Sequence, residues 1–199
     1  MADDPDNSLD WSAPGGPRSP RFGDVYYSLE DGLAESRAVF LAGCGLPDAW
    51  SKRRRFTVAE LGFGTGLNIA ALLHLWRESR TGGRLNIFSI EGFPVTREDA
   101  ARALSAWPGI AEAARALLDR WPPGTPGFHR IDLPDWNATL DLAVGDAAYY
   151  KIIQSVLVAH LHGNAAQISV EIGRGDVPTT AQPSFTELEE ALSEAGTAV

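Results

Sequence analysis

The sequence predicts an α/β fold, a mostly parallel sheet flanked by helices within one domain. Three observations carry that prediction. First, the short apolar run Thr57 to Leu61 stops at Gly62, Gly64 and Gly66, and a helical face of Ile69, Leu72, Leu73 and Trp76 follows at once. Second, another apolar run, Leu85 to Ile90, comes directly after that helix. Strand, helix and strand in succession require parallel pairing through a right-handed crossover. Third, a chain of 199 residues that is 44% hydrophobic and 22% charged can bury one core but not two full-sized ones.

Each element has a local reason. The stretch to about Arg21 is rich in Pro, Gly, Ser and Asp and reads as an arm, residues 1–21. Phe22 to Ser28 alternates weakly, as a short strand or an ordered loop would. Leu33, Arg37, Phe40 and Leu41 fall at helical spacing before Gly43 and Gly45, which predicts a helix ending near residue 42. Thr57 to Leu61 reads as a buried strand because a short apolar run is stopped by glycines. Arg77 and Arg80 then sit where cations complement the C-terminal end of the helix dipole. Thr96 with Asp99 makes a capping-box start for a helix bearing Ala100, Leu104 and Trp107, stopped by Pro108. Ile110, Ala114, Leu117, Leu118 and Trp121 form a further amphipathic face closed by Pro122 and Pro123. Phe128 to Leu133 and Thr139 to Val144 are joined by Pro134-Asp135-Trp136-Asn137, a hairpin signal. Beyond them, a helix is expected over Ile152 to Leu161, a strand over Gln167 to Ile172, and a helix capped by Ser184 and Glu187. The expected organisation is thus an arm (1–21), a ligand-binding region (22–146) and a C-terminal segment (147–199) packing on the same domain.

Charge narrows the function. The formal net charge is −9, which argues against gripping nucleic acid by bulk charge. Residues 1–50 carry 3 basic and 9 acidic side chains, and residues 51–100 carry 8 and 5, so the second quarter is the net-positive one. Its basic run, Lys52-Arg53-Arg54-Arg55, reads either as a phosphate contact or, more commonly for such runs, as a solvated loop. The lone Cys44 excludes an intramolecular disulfide and a cysteine-built zinc site. His74 lacks a partner at ligand spacing, and His160 with His162 point apart on a helix, so no metal is expected. Asp3, Asp4, Asp6 and Asp10 without an apolar run speak against a signal peptide, and no 18 consecutive apolar residues occur. A cytoplasmic protein with no membrane partner is the expectation.

The chemistry concentrates in Val58-Ala59-Glu60-Leu61-Gly62-Phe63-Gly64-Thr65-Gly66-Leu67-Asn68. Alternate glycines let a strand turn sharply into a helix while a ligand approaches the backbone. A dinucleotide fingerprint needs G-x-G-x-x-G, with pyrophosphate on the helix N-terminus. Here the spacing is G-x-G-x-G, and Glu60 stands two residues before the first glycine. A carboxylate there repels pyrophosphate and suits a cation with donors, such as S-adenosylmethionine with its amino group and sulfonium. Glu91 ends the second strand, where a carboxylate accepts from ribose hydroxyls, and Asp146 follows Gly145 where one accepts from an adenine amino group. The plainer alternative is solvated strand-end acids beside a tight turn.

These runs carry a family resemblance. Phe22-Gly23-Asp24-Val25-Tyr26-Tyr27-Ser28, Gly32-Leu33-Ala34-Glu35-Ser36-Arg37-Ala38-Val39-Phe40-Leu41, the glycine run, Ser89-Ile90-Glu91-Gly92-Phe93-Pro94, and Thr139-Leu140-Asp141-Leu142 leading to Gly145-Asp146 resemble the N-terminal methyltransferase domain of the bifunctional tRNA 5-methylaminomethyl-2-thiouridine biosynthesis proteins, MnmC. The resemblance spans about residues 21–146. It implies a Rossmann-like class I methyltransferase fold that binds S-adenosylmethionine and methylates the aminomethyl nitrogen on the wobble uridine of tRNA. By that analogy Glu60, Gly62, Gly64 and Gly66 line the methionine part, Glu91 the ribose and Asp146 the adenine, with Phe63, Thr65 and Asn68 also at the cofactor. Tyr26 and Tyr27 are candidates for closing over the cofactor or stacking on a base. The family also implies an FAD-dependent oxidoreductase as a partner, either a domain or a protein in trans.

The resemblance has limits. After Gly145-Asp146 the family's Asp-Gly-Phe-Ser/Ala-Pro segment is absent, so no catalytic residue is named. Only 53 residues follow Asp146, where ordinary element and loop lengths call for about 80 to 100. The sheet is therefore expected to be incomplete or altered at its C-terminal strands. Gln167 to Ile172 is the candidate extra strand, with Glu171 and Asp176 as carboxylates of interest. Two rivals stand beside the enzyme reading: a non-catalytic cofactor-binding or interaction module lacking the substrate pocket, and, less well supported by the glycine spacing, a nicotinamide oxidoreductase.

Overall fold

The computed structural model describes residues 8–12, 16–28 and 30–145. Asp146, both histidines of 160–162, Glu171, Asp176 and the elements expected over 147–199 lie outside the described residues.

Among the described residues four strands form one sheet: β1 (Arg55–Leu61), β2 (Arg84–Glu91), β3 (Gly127–Leu133) and β4 (Ala138–Val144), in the order β1-β2-β4-β3. β1 and β4 both run parallel to β2, and β3 closes back antiparallel on β4. The α/β class with a mostly parallel sheet is thus observed. The hairpin between β3 and β4 is the one marked by Pro134 to Asn137, and Asn137 makes the turn with φ +47°. β4, with a strand on each side, is buried along nearly its whole length.

Four helices accompany the sheet. α1 (Gly32–Glu35) is capped by Asp31, whose carboxylate accepts from Ala34 N, and continues as a π-helical stretch, Ser36–Ala42. The end near residue 42 is as expected, but the winding is not regular α. α2 (Leu67–Glu78) joins β1 to β2 and buries Ile69, Leu72, Leu73 and Trp76. α3 (Arg97–Leu104) and α4 (Ala111–Leu118) bridge β2 and β3. Both are shorter than the apolar spacing suggests: Trp107 and Trp121 fall past their last turns, because Pro108 and Pro122 restrict the backbone before them. One core unites α2 and α4 with β2 and β4 around Leu73, Leu117, Ile87, Leu140 and Leu142. Trp50 is completely buried there, edge-on to Trp76 and Phe56.

Three local expectations are corrected. β1 is not a buried strand: its residues alternate between exposed and half-buried, and Leu61 is 58% exposed. Among the described residues β1 pairs only with β2 and stands last in the strand order. Arg77 does more than face the helix dipole, since its guanidinium pairs with Glu112 of α4 and lies 3.9 Å above the Trp136 ring. His74 does have a neighbour, Glu78, one turn on at 3.4 Å.

The described part of the arm is fastened down. Asp99 supplies its backbone N–H to the Thr96 hydroxyl in the expected cap, yet its carboxylate does not turn back to the helix start. It accepts instead from Leu9 N at 2.9 Å and Trp11 Nε1 at 2.7 Å, while Arg102 stacks 4.1 Å above Trp11. From there single antiparallel bridges link Asp10 to Arg18 and Arg18 to Val25. Phe22 to Ser28 is therefore the ordered loop of the two alternatives, and the arm delivers it to the C-terminal ends of β1 and β2.

Candidate cofactor site

Where β1 ends, Gly62 N and Phe63 N both donate to Ile90 O, so the turn is still tied to β2 as it leaves the sheet. Gly62, Gly64 and Gly66 all have positive φ, at +95°, +52° and +76°. That backbone is open to glycine and strained for other residues. Gly66 also needs its missing Cβ, since one would sit 2.9 Å from Leu117 Cδ2 and 3.2 Å from Trp121. Gly64 lies against the Tyr26 ring, 3.3 Å from where a Cβ would stand.

Glu91 organises this turn. One carboxylate oxygen accepts from Gly64 N at 2.7 Å and the other from Phe93 N at 2.8 Å. A single side chain at the end of β2 thus pins both the glycine turn and the following loop, leaving its outward lone pairs to a ligand. Gly145 N donates to Glu91 O, which brings the end of β4 to the same place.

Together these segments wall a cavity of about 570 Å³, within the roughly 300–1,000 Å³ of small-molecule sites. Of the residues expected from sequence, Tyr26, Tyr27, Gly62, Phe63, Gly64, Thr65, Asn68 and Glu91 line it. Glu60 and Gly66 do not reach the wall and lie behind it. Glu60 Oε2 accepts from the Ser89 hydroxyl at 2.9 Å, directly across the β1–β2 register, and Oε1 is buried without a partner. Burial pushes the Glu60 carboxyl up to about 7, the hydrogen bond from Ser89 opposes that, and the nearby Glu91 charge adds to it. Tyr27 is half committed to packing, edge-on to Trp107 at 4.7 Å. Burial raises both tyrosines, with the Glu91 charge adding to the effect at Tyr26, so both stay neutral donors.

Sequence reasoning missed several wall residues: Ser19, Phe22, Asp24, Glu35, Ser36, Phe40 and Phe93. All but Phe93 come from the arm loop or α1, segments with no recognisable ligand chemistry until the fold folds them over the glycine turn. Ser89 was findable, because parallel register places it beside Glu60. The charged side chains among the described lining residues are Asp24, Glu35 and Glu91, with no lysine, arginine or histidine. Ser36 Oγ is buried and has no partner. No group of three or more potential metal ligands occurs among the described residues.

Comparison with known proteins agrees with this architecture. No family model matches the chain. The tRNA 5-methylaminomethyl-2-thiouridine biosynthesis bifunctional protein MnmC of Caulobacter sp. (strain K31) is 60% identical over 152 residues, covering 73% of this chain and 25% of that protein. This chain carries an MnmC-like region. The MnmC of Maricaulis maris (strain MCS10) is 44% identical over 203 residues, covering 94% of this chain, so that alignment runs past Gly145, and 35% of that protein. The chain therefore spans about a quarter to a third of these MnmC proteins. A solved structure, MNMC2 from Aquifex aeolicus, superposes with a TM-score of 0.51 at 24% identity, over 74% of this chain and 44% of that one, and supports the fold.

Proposed function

We propose that this MnmC-like region binds S-adenosylmethionine and transfers its methyl group to the aminomethyl nitrogen of a modified wobble uridine in tRNA. The wall of the cavity is the observation that carries the reading: among its described residues, three carboxylates and no cation stand around a glycine turn. Such a wall attracts a ligand bearing an ammonium and a sulfonium and repels a pyrophosphate. The residues present fit that ligand. Glu91 offers outward lone pairs at the β2 end, Ser36 Oγ is buried without a partner, and Gly62 exposes backbone to close approach. Relatives named for tRNA 5-methylaminomethyl-2-thiouridine biosynthesis supply the substrate part.

When bound, S-adenosylmethionine supplies an electrophilic methyl. The rest would fall to the protein, which would hold an unprotonated amine close to that methyl and accept the proton the nitrogen sheds. Asp24 and Glu35 are the wall carboxylates placed on the arm and α1 side to hydrogen-bond the amine and take that proton. The FAD-dependent oxidoreductase expected from the family is part of the same proposal, either elsewhere in a longer polypeptide or in trans.

Calorimetric titration with S-adenosylmethionine, for wild type and Glu91→Ala, checks the cofactor half. Wild type should bind, and the variant should bind at least tenfold more weakly. Transfer of labelled methyl to tRNA bearing the aminomethyl uridine checks the other half. Wild type failing to bind would sink the cofactor assignment, whereas binding without transfer would leave a cofactor-binding module.

A further inference from the structure

Five large apolar side chains are more than half exposed among the described residues, and three of them, Phe22, Phe40 and Leu61, rim the cavity. Phe22 is the most exposed of the three, at 63%. Its position is rigid. Ser19 O accepts from Gly23 N at 2.8 Å, Ser19 N donates to Asp24 O at 2.9 Å, and Ser19 Oγ accepts from Phe22 N at 3.3 Å. Arg18 Nη1 closes the same turn by donating to Gly23 O at 3.0 Å. A turn held by four hydrogen bonds thus presents a large aromatic ring to solvent. Core packing does not explain the ring, since its contact with Phe93 is edge-on, with centroids 5.3 Å apart and planes at 66°.

The neighbours of Phe22 define what would cover it. The Arg21 guanidinium lies 4.1 Å above the Phe93 ring, so a flat cation and two aromatic rings stand together at the mouth. The three cations of the acidic first fifty residues, Arg18, Arg21 and Arg37, belong to the arm turn and to the α1 extension that rim the cavity. By contrast, Lys52 to Arg55 enters β1 at its other end, about 20 Å from Leu61 at the usual rise per strand residue. Exposed aromatic faces beside arginines stack unpaired bases while the cations meet phosphate.

We propose that Phe22, with Phe93 and Arg21, is a stacking platform at the cavity mouth that receives an unpaired base of the RNA substrate. The proposal rests on the tRNA reading above. It places the base flat against Phe22, with its flanking phosphates toward Arg18 and Arg21 and the reacting substituent directed past Tyr26 to the glycine turn.

The test is binding of an anticodon stem-loop RNA carrying 2-aminopurine at the wobble position, followed by fluorescence and independent of methyl transfer. Wild type should quench the probe. Phe22→Ala should weaken binding about tenfold and lose the quench, the scale of one lost base–aromatic stack. Phe22→Tyr should restore both, and Arg21→Ala should weaken binding with a shallower salt dependence. Wild type that leaves the probe unquenched, or Phe22→Ala that binds like wild type, overturns the platform. So does a Phe22→Ala effect on self-association, read by sedimentation, with RNA binding unchanged. Quenching by a protein that transfers no methyl group would overturn the enzyme reading while supporting the platform.

Discussion

At the residue scale, Glu60 concentrates the tension in this site. Sequence places an acid before the glycines and suggests direct ligand contact; the fold instead turns it inward, across from Ser89. Alternation decides this, because Glu60 shares the half-buried face of β1 with Phe56 and Val58 while Leu61 faces outward. Its carboxyl, ordinarily near 4.5, is raised to about 7 chiefly by burial. A raised carboxyl favours the protonated folded state, so its stabilising contribution is present at low pH and is lost as pH rises from about 4.5 through 7. Between pH 5 and pH 8 the ligand-free protein should lose roughly 2–3 kcal/mol from this group. Glu60→Gln should remove that slope and be the more stable of the two at pH 8. Urea unfolding of both proteins across the range is the check; parallel pH profiles would show that Glu60 is ionised throughout.

At the element scale, the glycine turn and the capped α3 helix were legible for different reasons, and both gained something from the fold. Spacing alone showed that the chain turns from β1 into α2, but not that Gly66 meets Leu117 and Trp121 from α4 and the loop after it. Gly66→Ala adds a strained φ and a 2.9 Å contact, so it should cost about 2–4 kcal/mol, read as a lower thermal midpoint without any ligand. The Thr96 and Asp99 signal correctly opened α3, yet the partner of the Asp99 carboxylate was invisible, because Leu9 and Trp11 are some ninety residues away in a stretch whose composition says only arm. Asp99→Asn keeps the shape and weakens that anchor. It should free the arm at a cost of about 1–3 kcal/mol, with a red-shifted Trp11 emission against a Trp11→Phe reference and faster proteolysis before Arg18. An unchanged cleavage pattern would mean the bridges from Arg18 to Asp10 and Val25 hold the arm without Asp99. β1 differs for the converse reason: a short apolar run marks a strand but does not say what covers its faces, and among the described residues only β2 pairs with it.

At the scale of the whole molecule, the charge of −9 and the layout of the sheet together set how RNA is to be held. A parallel sheet gathers its ligand groups at the C-terminal strand ends, and the cavity wall there is acidic. The basic run Lys52 to Arg55 is at the opposite end, so on the proposed reading only Arg18 and Arg21, with Arg37 nearby, meet phosphate at the mouth. For single-stranded contacts the salt dependence has a logarithmic slope of about −0.7 per phosphate neutralised. Two or three contacts give about −1.5 to −2, whereas adding the four cations of the basic run would steepen it to about −4 or beyond. Titrating the stem-loop RNA at several salt concentrations measures this directly. Replacing Lys52, Arg53, Arg54 and Arg55 by glutamine should leave the slope within experimental error, and replacing Arg18 and Arg21 should flatten it. A slope near −4 that collapses in the first variant would move the RNA to the far end of the sheet, and the cavity mouth would lose its claim to the substrate.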